Sequence, residues 1–264
     1  MHFHNIDELP QGWCVYPYIY KGYRVNISCR ECIMSIFTSR NNEFWMIWTD
    51  IFPIFLYTYI YISWHHSDAY IDMTTFYRSL ATGAYIAAYT TRICSCIYHI
   101  FNPISLQVNQ TLINLDYVGI AFMLCGYPWV FVNSLKITSF TDIRFIIYIC
   151  ILPVAFASYI TLIARMLIKN NSSLISQETL LLSLSSIGTA TSCIIIFDNN
   201  ANILWRTYCG TGLFCFLFGY VVFFNWHFPE NKYRVIPVLY SHIFWHNIVS
   251  LGQYLYLCTT FLDT

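Results

Sequence analysis

The stretch FWMIWTDIFPIFLYTYIYISW, residues 44–64, decides the fold class. It carries one formal charge, Asp50, and its other residues are apolar, aromatic, hydroxyl-bearing or proline. About 20 such residues in a helix are enough to cross the hydrocarbon core of a bilayer. Tryptophans stand near both ends, at Trp45 and Trp64, as they do where a span meets the membrane–water interface. The stretch therefore predicts a transmembrane helix.

The whole chain has a composition that suits a bilayer. Of its 264 residues, 57% are hydrophobic and 10% are charged, whereas about 25% are charged in a soluble domain. The net charge is zero, with 13 basic and 13 acidic residues, so no basic surface attracts a nucleic acid. These numbers exclude soluble enzymes, nucleic-acid-binding proteins and disordered chains, and leave a protein embedded in a membrane.

Six further apolar runs follow the first. They lie at about residues 79–101, 112–132, 143–167, 179–197, 205–226 and 235–258. Each is close to the ~20 residues that a span requires. The sequence predicts an all-α integral membrane protein, a seven-transmembrane helix bundle over residues 44–264.

A polar N-terminal arm, residues 1–43, precedes the first span. One helical face in this arm collects five apolar residues: Cys29, Cys32, Ile33, Ile36 and Phe37. This spacing predicts a short amphipathic helix lying in the interface; an ordinary amphipathic turn packed on the bundle is the alternative. Cys29 and Cys32 form a CxxC pair without a second pair, so we do not interpret them as a zinc site.

The distribution of Lys and Arg predicts the orientation, because cytosolic loops carry the excess of these residues. On the side of the arm lie eight: Lys21, Arg24, Arg30, Arg40, Arg165, Lys169, Lys232 and Arg234. On the other side lie four: Arg78, Lys136, Arg144 and Arg206. The N-terminus is therefore expected in the cytosol. The glycosylation sequons at Asn26, Asn109 and Asn171 conflict with this orientation, and we interpret them as chance matches.

Ionisable and polar groups inside spans are costly and need a physical reason. Ser95 and His99, four residues apart, share one face of the second span. His242 and His246 share one face of the last span in the same way, and Asp116 stands near the start of the third. In the predicted topology the three histidines and Asp116 all lie roughly 5–15 Å below the cytosolic surface.

Three imidazoles at one depth are the ligand set of a catalytic zinc ion, whose fourth position is left to water. His99, His242 and His246 are the candidate Zn²⁺ ligands. Asp116 is the candidate for holding or deprotonating the water, and Ser95 is a further hydrogen-bonding group. The alternative is that the three histidines make unrelated interhelical hydrogen bonds. Arg92, also inside a span, is expected to pair with Asp50 in a structural ion pair or to contact a lipid carbonyl.

At these residues the sequence resembles the progestin and adipoQ receptor (PAQR) family, of the adiponectin-receptor and hemolysin III type. Three ordered motifs carry the resemblance: Asn42-Glu43 with Ile47-Trp48-Thr49; Ser95 to His99 with Leu115-Asp116-Tyr117; and Pro229-Glu230 with Ser241-His242 and Trp245-His246. In the arm, Asp7-Glu8-Leu9-Pro10 and Gly22-Tyr23-Arg24 are most similar to the membrane progestin receptor branch. Several positions depart from the family pattern: Asp50 stands where a histidine is usual, Met46 where an asparagine is usual, and Ile243 where a glutamine is usual. The usual Pro-Gly and Asp before the last motif are also missing across residues 231–240.

The resemblance implies a seven-helix bundle with a cytosolic N-terminus and a zinc ion held by the three histidines, with Asp116 and Ser95 beside the zinc-bound water. It also implies a link to ceramide hydrolysis and to hormone or progestin response. One hypothesis is thus a zinc-dependent hydrolase of a ceramide-like lipid amide. The other is a receptor for a steroid-like ligand with a structural zinc, signalling to a cytosolic partner. A G-protein-coupled receptor or opsin is disfavoured, because no Asp-Arg-Tyr follows the third span and no lysine lies in the last.

Overall fold

The computed structural model describes much of the chain outside residues 131–201. The described residues are 2–13, 16, 18–127, 129–130, 142–143, 146–151, 153–158, 160–161, 189–190, 192–193, 196–197, 202–233 and 237–262. Much of the predicted fourth span and most of the predicted fifth lie outside them. The described part is all-α, apart from a small antiparallel ladder in the arm between β1 (His4–Asn5) and β2 (Lys21–Tyr23).

The α-helices are α1 (Cys29–Ser35), α2 (Phe44–His65), α3 (Asp68–Asp72), α4 (Thr75–Phe101), α5 (Leu106–Gly126), α6 (Ile203–Tyr220) and α7 (Ser241–Cys258). Short 3-10 turns occupy Ile6–Glu8, Pro237–Leu239 and Thr259–Phe261, and π-helical turns occupy Ile146–Ile151 and Val221–Trp226. Among the described residues, Phe44–His65 and Ile203–Phe223 are long and apolar enough to cross a membrane.

Two helices, α5 and α7, begin about six residues away from the start of the predicted apolar run. The third run was expected from residue 112, but α5 begins at Leu106, because Ser105 Oγ accepts a hydrogen bond from the backbone N–H of Val108 and caps the helix. The seventh was expected from residue 235, but α7 begins at Ser241. Its first N–H groups are unsatisfied within the helix, and the Glu230 carboxylate accepts from Ser241 N at 2.9 Å.

One compact unit, called unit 1 here, consists of Met1–Phe55, Arg92–Asp116 and Cys215–Ser250. The arm packs into it: Ile19 and Tyr23 join Met46 and Ile243 in one apolar cluster. The chain turns closely at Gly22, which has φ +93° and whose added Cβ would lie 2.9 Å from Arg40 O. The arm is thus fixed against the beginning of α2, because only glycine fits this turn.

Only part of the apolar face that the sequence predicts around the short helix α1 is buried. Cys32 is buried in a cluster with Ile47 and Ile100, and burial raises the pKa of its thiol to about 11. Ile33 and Phe37 instead remain 49% and 72% exposed. The helix therefore packs on unit 1 through one side and offers apolar side chains to its surroundings on another.

The second compact unit, unit 2, consists of Leu56–Thr91, Tyr117–Phe214 and Leu251–Thr264. Its core is aromatic: Trp64 stacks on Tyr85, with ring centroids 5.3 Å apart. A buried hydrogen bond of 2.6 Å joins Tyr57 Oη to Gln253 Oε1. The buried polar side chains described in unit 2 are uncharged: Thr91, Ser192, Gln253, Thr259 and Thr260.

Candidate metal centre

Unit 1 brings His99, His242 and His246 together. Their possible ligand atoms all lie within 4.8 Å of one another, so the group can hold a metal ion. The last turn of α4 supplies His99, and the first two turns of α7 supply the other two. The ring centroids are 4.8–5.2 Å apart. The predicted convergence of these three side chains on one place is confirmed.

His99 is oriented by a carboxylate. Its Nδ1 lies 2.7 Å from Glu43 Oε2, and Asn102 Nδ2 donates to the other oxygen of Glu43 at 3.3 Å. An ionised carboxylate only accepts hydrogen bonds, so Nδ1 carries the proton of the neutral ring and Nε2 keeps its lone pair. That Nε2 atom is buried without a hydrogen-bond partner.

His246 is oriented by two acceptors. Its Nδ1 lies 3.2 Å from Asp50 Oδ1 and 3.2 Å from Thr49 Oγ1. Thr49 donates its only hydroxyl proton to Met46 O at 2.8 Å, so its oxygen can only accept from the imidazole. The proton therefore resides on Nδ1, and Nε2 of His246 also presents a lone pair.

His242 is held by ring stacking: its ring lies on Phe223 with centroids 4.4 Å apart and planes 19° from parallel. Its Nε2 is 3.2 Å from His246 Nε2. Two nitrogens bound to one tetrahedral zinc ion at 2.0–2.1 Å are about 3.3 Å apart. This spacing and the unpartnered Nε2 of His99 fit a zinc ion bound to three histidines.

The predicted pair of Asp50 and Arg92 is confirmed, with Oδ1 and Nη1 3.1 Å apart and both side chains buried. Sequence reasoning missed that Asp50 also contacts His246, and that Glu43 contacts His99. A carboxylate beside a metal-bound histidine is a common arrangement. The available signal was the presence of acids in and just before an apolar span, where each requires a partner.

Ser95 and Asp116 lie beside the histidine group. Ser95 is buried on α4, one turn before His99, and its side chain makes a hydrogen bond with the Asp116 carboxylate. Asp116 interacts electrostatically with His99 without belonging to the group of ligand atoms. It is therefore a carboxylate near the centre that is not itself a ligand.

Arg24 connects the arm to the helix that carries His99. Its guanidinium donates to His99 O at 2.8 Å and Ile100 O at 3.4 Å, and it also contacts Ser35 Oγ. These carbonyls lie at the C-terminal end of α4, where the helix leaves them unsatisfied and the helix dipole favours a cation. Burial lowers the pKa of Arg24, and the nearby Glu43 carboxylate opposes that shift.

Comparison with known proteins shows the family of this chain. An uncharacterized protein of Schizosaccharomyces pombe is 30% identical over 125 residues, which are 46% of this chain and 28% of the yeast protein. The match thus spans little more than a quarter of that relative's length. A family model described as haemolysin-III related matches residues 38–257, a range that contains all three histidines. The chain therefore belongs to the haemolysin-III related family, which is the PAQR and hemolysin III family that its motifs resemble.

Proposed function

We propose that this chain is a seven-transmembrane hydrolase that uses zinc to cleave the amide bond of a ceramide-like lipid. One observation carries the proposal: three histidine nitrogens lie within 4.8 Å of one another, beside a carboxylate that is not a ligand, Asp116. A purely structural zinc site is usually closed by four protein ligands, whereas three leave one position open. Membership of the haemolysin-III related family supports the membrane location.

The residues of unit 1 have distinct roles in this reaction. His99, His242 and His246 hold the zinc ion, which when bound polarises a carbonyl and lowers the pKa of water to about 7. Asp116 takes a proton from the attacking water and delivers it to the leaving amine. Glu43 keeps the Nε2 atom of His99 unprotonated and directed at the centre.

Ser95 takes a positioning role in this proposal. Its single hydroxyl proton is directed to Asp116 by the hydrogen bond between the two side chains, since an ionised carboxylate only accepts. Ser95 therefore orients the base.

We further propose that the arm is cytosolic and that the lipid enters from the cytosolic leaflet. The excess of Lys and Arg on the side of the arm supports this orientation. Arg24 is one of the eight residues counted on the side of the arm, but its guanidinium is buried and donates a hydrogen bond to α4. Its charge is therefore not solvated. Five of the counted residues lie outside the described residues: Lys136, Arg144, Arg165, Lys169 and Arg234.

The test is Asp116→Asn, with turnover of ceramides and zinc content measured in parallel. Asparagine keeps the shape of the side chain but removes the base, so we expect full zinc content and a loss of turnover of roughly 100-fold or more. Ser95→Ala should lose less, because Asp116 remains. If the wild type holds zinc but releases no fatty acid from short- or long-chain ceramides, the hydrolase proposal fails. A receptor for a steroid-like ligand with a structural zinc would then take its place.

Zinc counting requires one control. A second, exposed group in the arm, His2, His4 and Glu8, also has ligand atoms within 4.8 Å of one another. Metal analysis is therefore done in parallel on wild type and His4→Ala, which removes a ligand of the exposed group only. One tightly held zinc in His4→Ala is the expected result, and none would contradict the buried site.

A further inference from the structure

Asp50 has an unusual place in α2. It is the only formally charged residue in that helix and is fully buried, with 0% of its side chain exposed. One oxygen, Oδ1, lies 3.1 Å from Arg92 Nη1 and 3.2 Å from His246 Nδ1. A carboxylate in a membrane span is expensive and persists where it has a partner and a use.

The donors and acceptors at Asp50 fix the direction of each hydrogen bond between Arg92, Asp50 and His246. Arg92 only donates, and an ionised Asp50 only accepts. Since Thr49 also accepts at His246 Nδ1, the imidazole donates from Nδ1 and presents Nε2 to the other histidines. Arg92 thus donates to the Asp50 carboxylate, and the Asp50 carboxylate accepts from the His246 ring and orients it.

A second acid-histidine pair in the same unit has the same arrangement. Glu43 accepts from His99 Nδ1 at 2.7 Å and stands directly before α2, where its carbonyl accepts from Ile47 N at 2.9 Å. Glu43 and Asp50 are seven residues apart, which is about two helical turns, so they share one face of the chain at the start of α2. One segment thus orients ligands that come from α4 and from α7.

We propose that Asp50 is a positioning residue of the metal centre: it sets the tautomer and orientation of His246, and Arg92 holds it in place. This inference rests on the proposed zinc site. The pair therefore acts through His246 on the metal, beyond its role as an ion pair between helices.

A double variant separates positioning from folding. Removing one partner leaves a buried charge unpaired and destabilises the protein, whereas replacing both with apolar residues of similar size is often neutral. Asp50→Leu combined with Arg92→Met is therefore expected to fold. Zinc affinity, measured by competition with a chromogenic chelator, should fall by roughly 10–100-fold, the usual effect of losing such a partner.

One further readout and two further variants complete the test. Co²⁺ bound in place of zinc should give a visible absorption spectrum in the double variant that differs from that of the wild type, since the ligand is reoriented. Asp50→Asn keeps an acceptor without the charge and should fall between the two proteins in zinc affinity. Tyr57→Phe, which removes a buried hydrogen bond elsewhere on α2, should change neither affinity nor spectrum.

The outcomes distinguish the two proposals. If the folded double variant binds zinc with wild-type affinity and gives an unchanged Co²⁺ spectrum, Asp50 and Arg92 form an ion pair with no effect on the metal, and this inference is overturned. If the wild type itself binds no zinc, the proposed function fails first.

Discussion

Unit 1 buries Arg24, Glu43, Asp50 and Arg92, whereas unit 2 buries aromatic rings and uncharged polar groups, in the part of the chain that the structure describes. A buried ion pair contributes little net stability, because the cost of desolvation offsets the attraction between the charges. Stacked aromatic rings and satisfied hydroxyl groups do stabilise a core. The acids of unit 1 are thus explained by the histidine rings that they contact, and its arginines by their contacts with Asp50 and with the carbonyl of His99. The core of unit 2 is explained by packing.

This contrast is sharpest along α7, where His246 belongs to unit 1 and Gln253 to unit 2, about two turns later. His246→Ala should weaken zinc binding by more than ~100-fold, because loss of a ligand exceeds the usual effect of losing a ligand's partner. Since bound metal stabilises only the folded state, the Tm of the wild type should fall when a chelator is added. The Tm of His246→Ala should not respond.

Gln253→Leu is the matched control for His246→Ala, because it changes α7 in unit 2. It removes the buried hydrogen bond from Tyr57 Oη to Gln253 Oε1, which should lower the free energy of unfolding by about 1–3 kcal/mol. Its Tm should still fall on addition of chelator, as in the wild type. A Gln253→Leu protein that no longer responds to chelator would remove the functional distinction between the units.

Two arginines give the next comparison, because each donates to two consecutive carbonyls near the end of a helix. Arg24, in the arm of unit 1, is buried against the end of α4. Arg78, in unit 2, is half-buried and donates to Tyr70 O at 2.7 Å and to Ile71 O at 2.5 Å. Arg24→Ala should cost about 3 kcal/mol, since it leaves buried carbonyls unsatisfied. Arg78→Ala should cost less than about 1.5 kcal/mol, because water replaces the lost donor.

The two variants should also differ in zinc affinity. Arg24 holds the turn that carries His99, so Arg24→Ala should weaken zinc binding as well as folding, whereas Arg78→Ala should leave zinc binding unchanged. Chemical denaturation and chelator competition on the same preparations measure both effects. Equal zinc affinity in the two variants would mean that the arm does not position His99.

A glycine pair on α6 tests the packing of unit 2. A Cβ at Gly212 would lie 2.3 Å from the ring of Tyr256, whereas at Gly210 it would meet nothing within 4 Å. The ring of Tyr256 is stacked on Tyr127, so Gly212→Ala should destabilise the protein by about 1–3 kcal/mol through overpacking. Gly210→Ala should stabilise it by about 0.5–1 kcal/mol. Zinc content should be unchanged in both, and a loss of zinc in Gly212→Ala would contradict the separation of roles.

Apolar run length predicts α2 and α4 to within a few residues, because span length is set by the thickness of the bilayer. Run length does not reveal where a helix begins when a local contact decides it. Glu230 caps Ser241 across eleven residues, and no pattern in the sequence predicts that loop. The start of α7 was therefore misplaced.

The candidate ligands were predictable because i,i+4 spacing places two histidines on one helix face. The contacts of Glu43 with His99 and of Asp50 with His246 were missed, because α2 is apolar around most of its circumference and its sequence does not indicate which side faces the histidines. Their role depends on how α2 is rotated against α4 and α7. Rotation is set by packing of the whole unit, as in the clusters around Met46 and Ile47, and not by local pattern.

The smallest expected effect concerns the proposed orientation, in which the arm is cytosolic and the loop after the first span lies on the other side of the membrane. A flexible insertion with one glycosylation sequon after Asp72 should gain a glycan, whereas the same insertion at the exposed Gln11–Gly12 turn should gain none. Natural sequons are unequal reporters, because Asn109 is buried in this fold, with 6% of the residue exposed. Asn26 is exposed and reports directly. A glycan at Asn26 or at the inserted sequon in the arm, read as a mass shift removed by a glycosidase, would reverse the orientation inferred from Lys and Arg and move the entry of the lipid to the opposite leaflet.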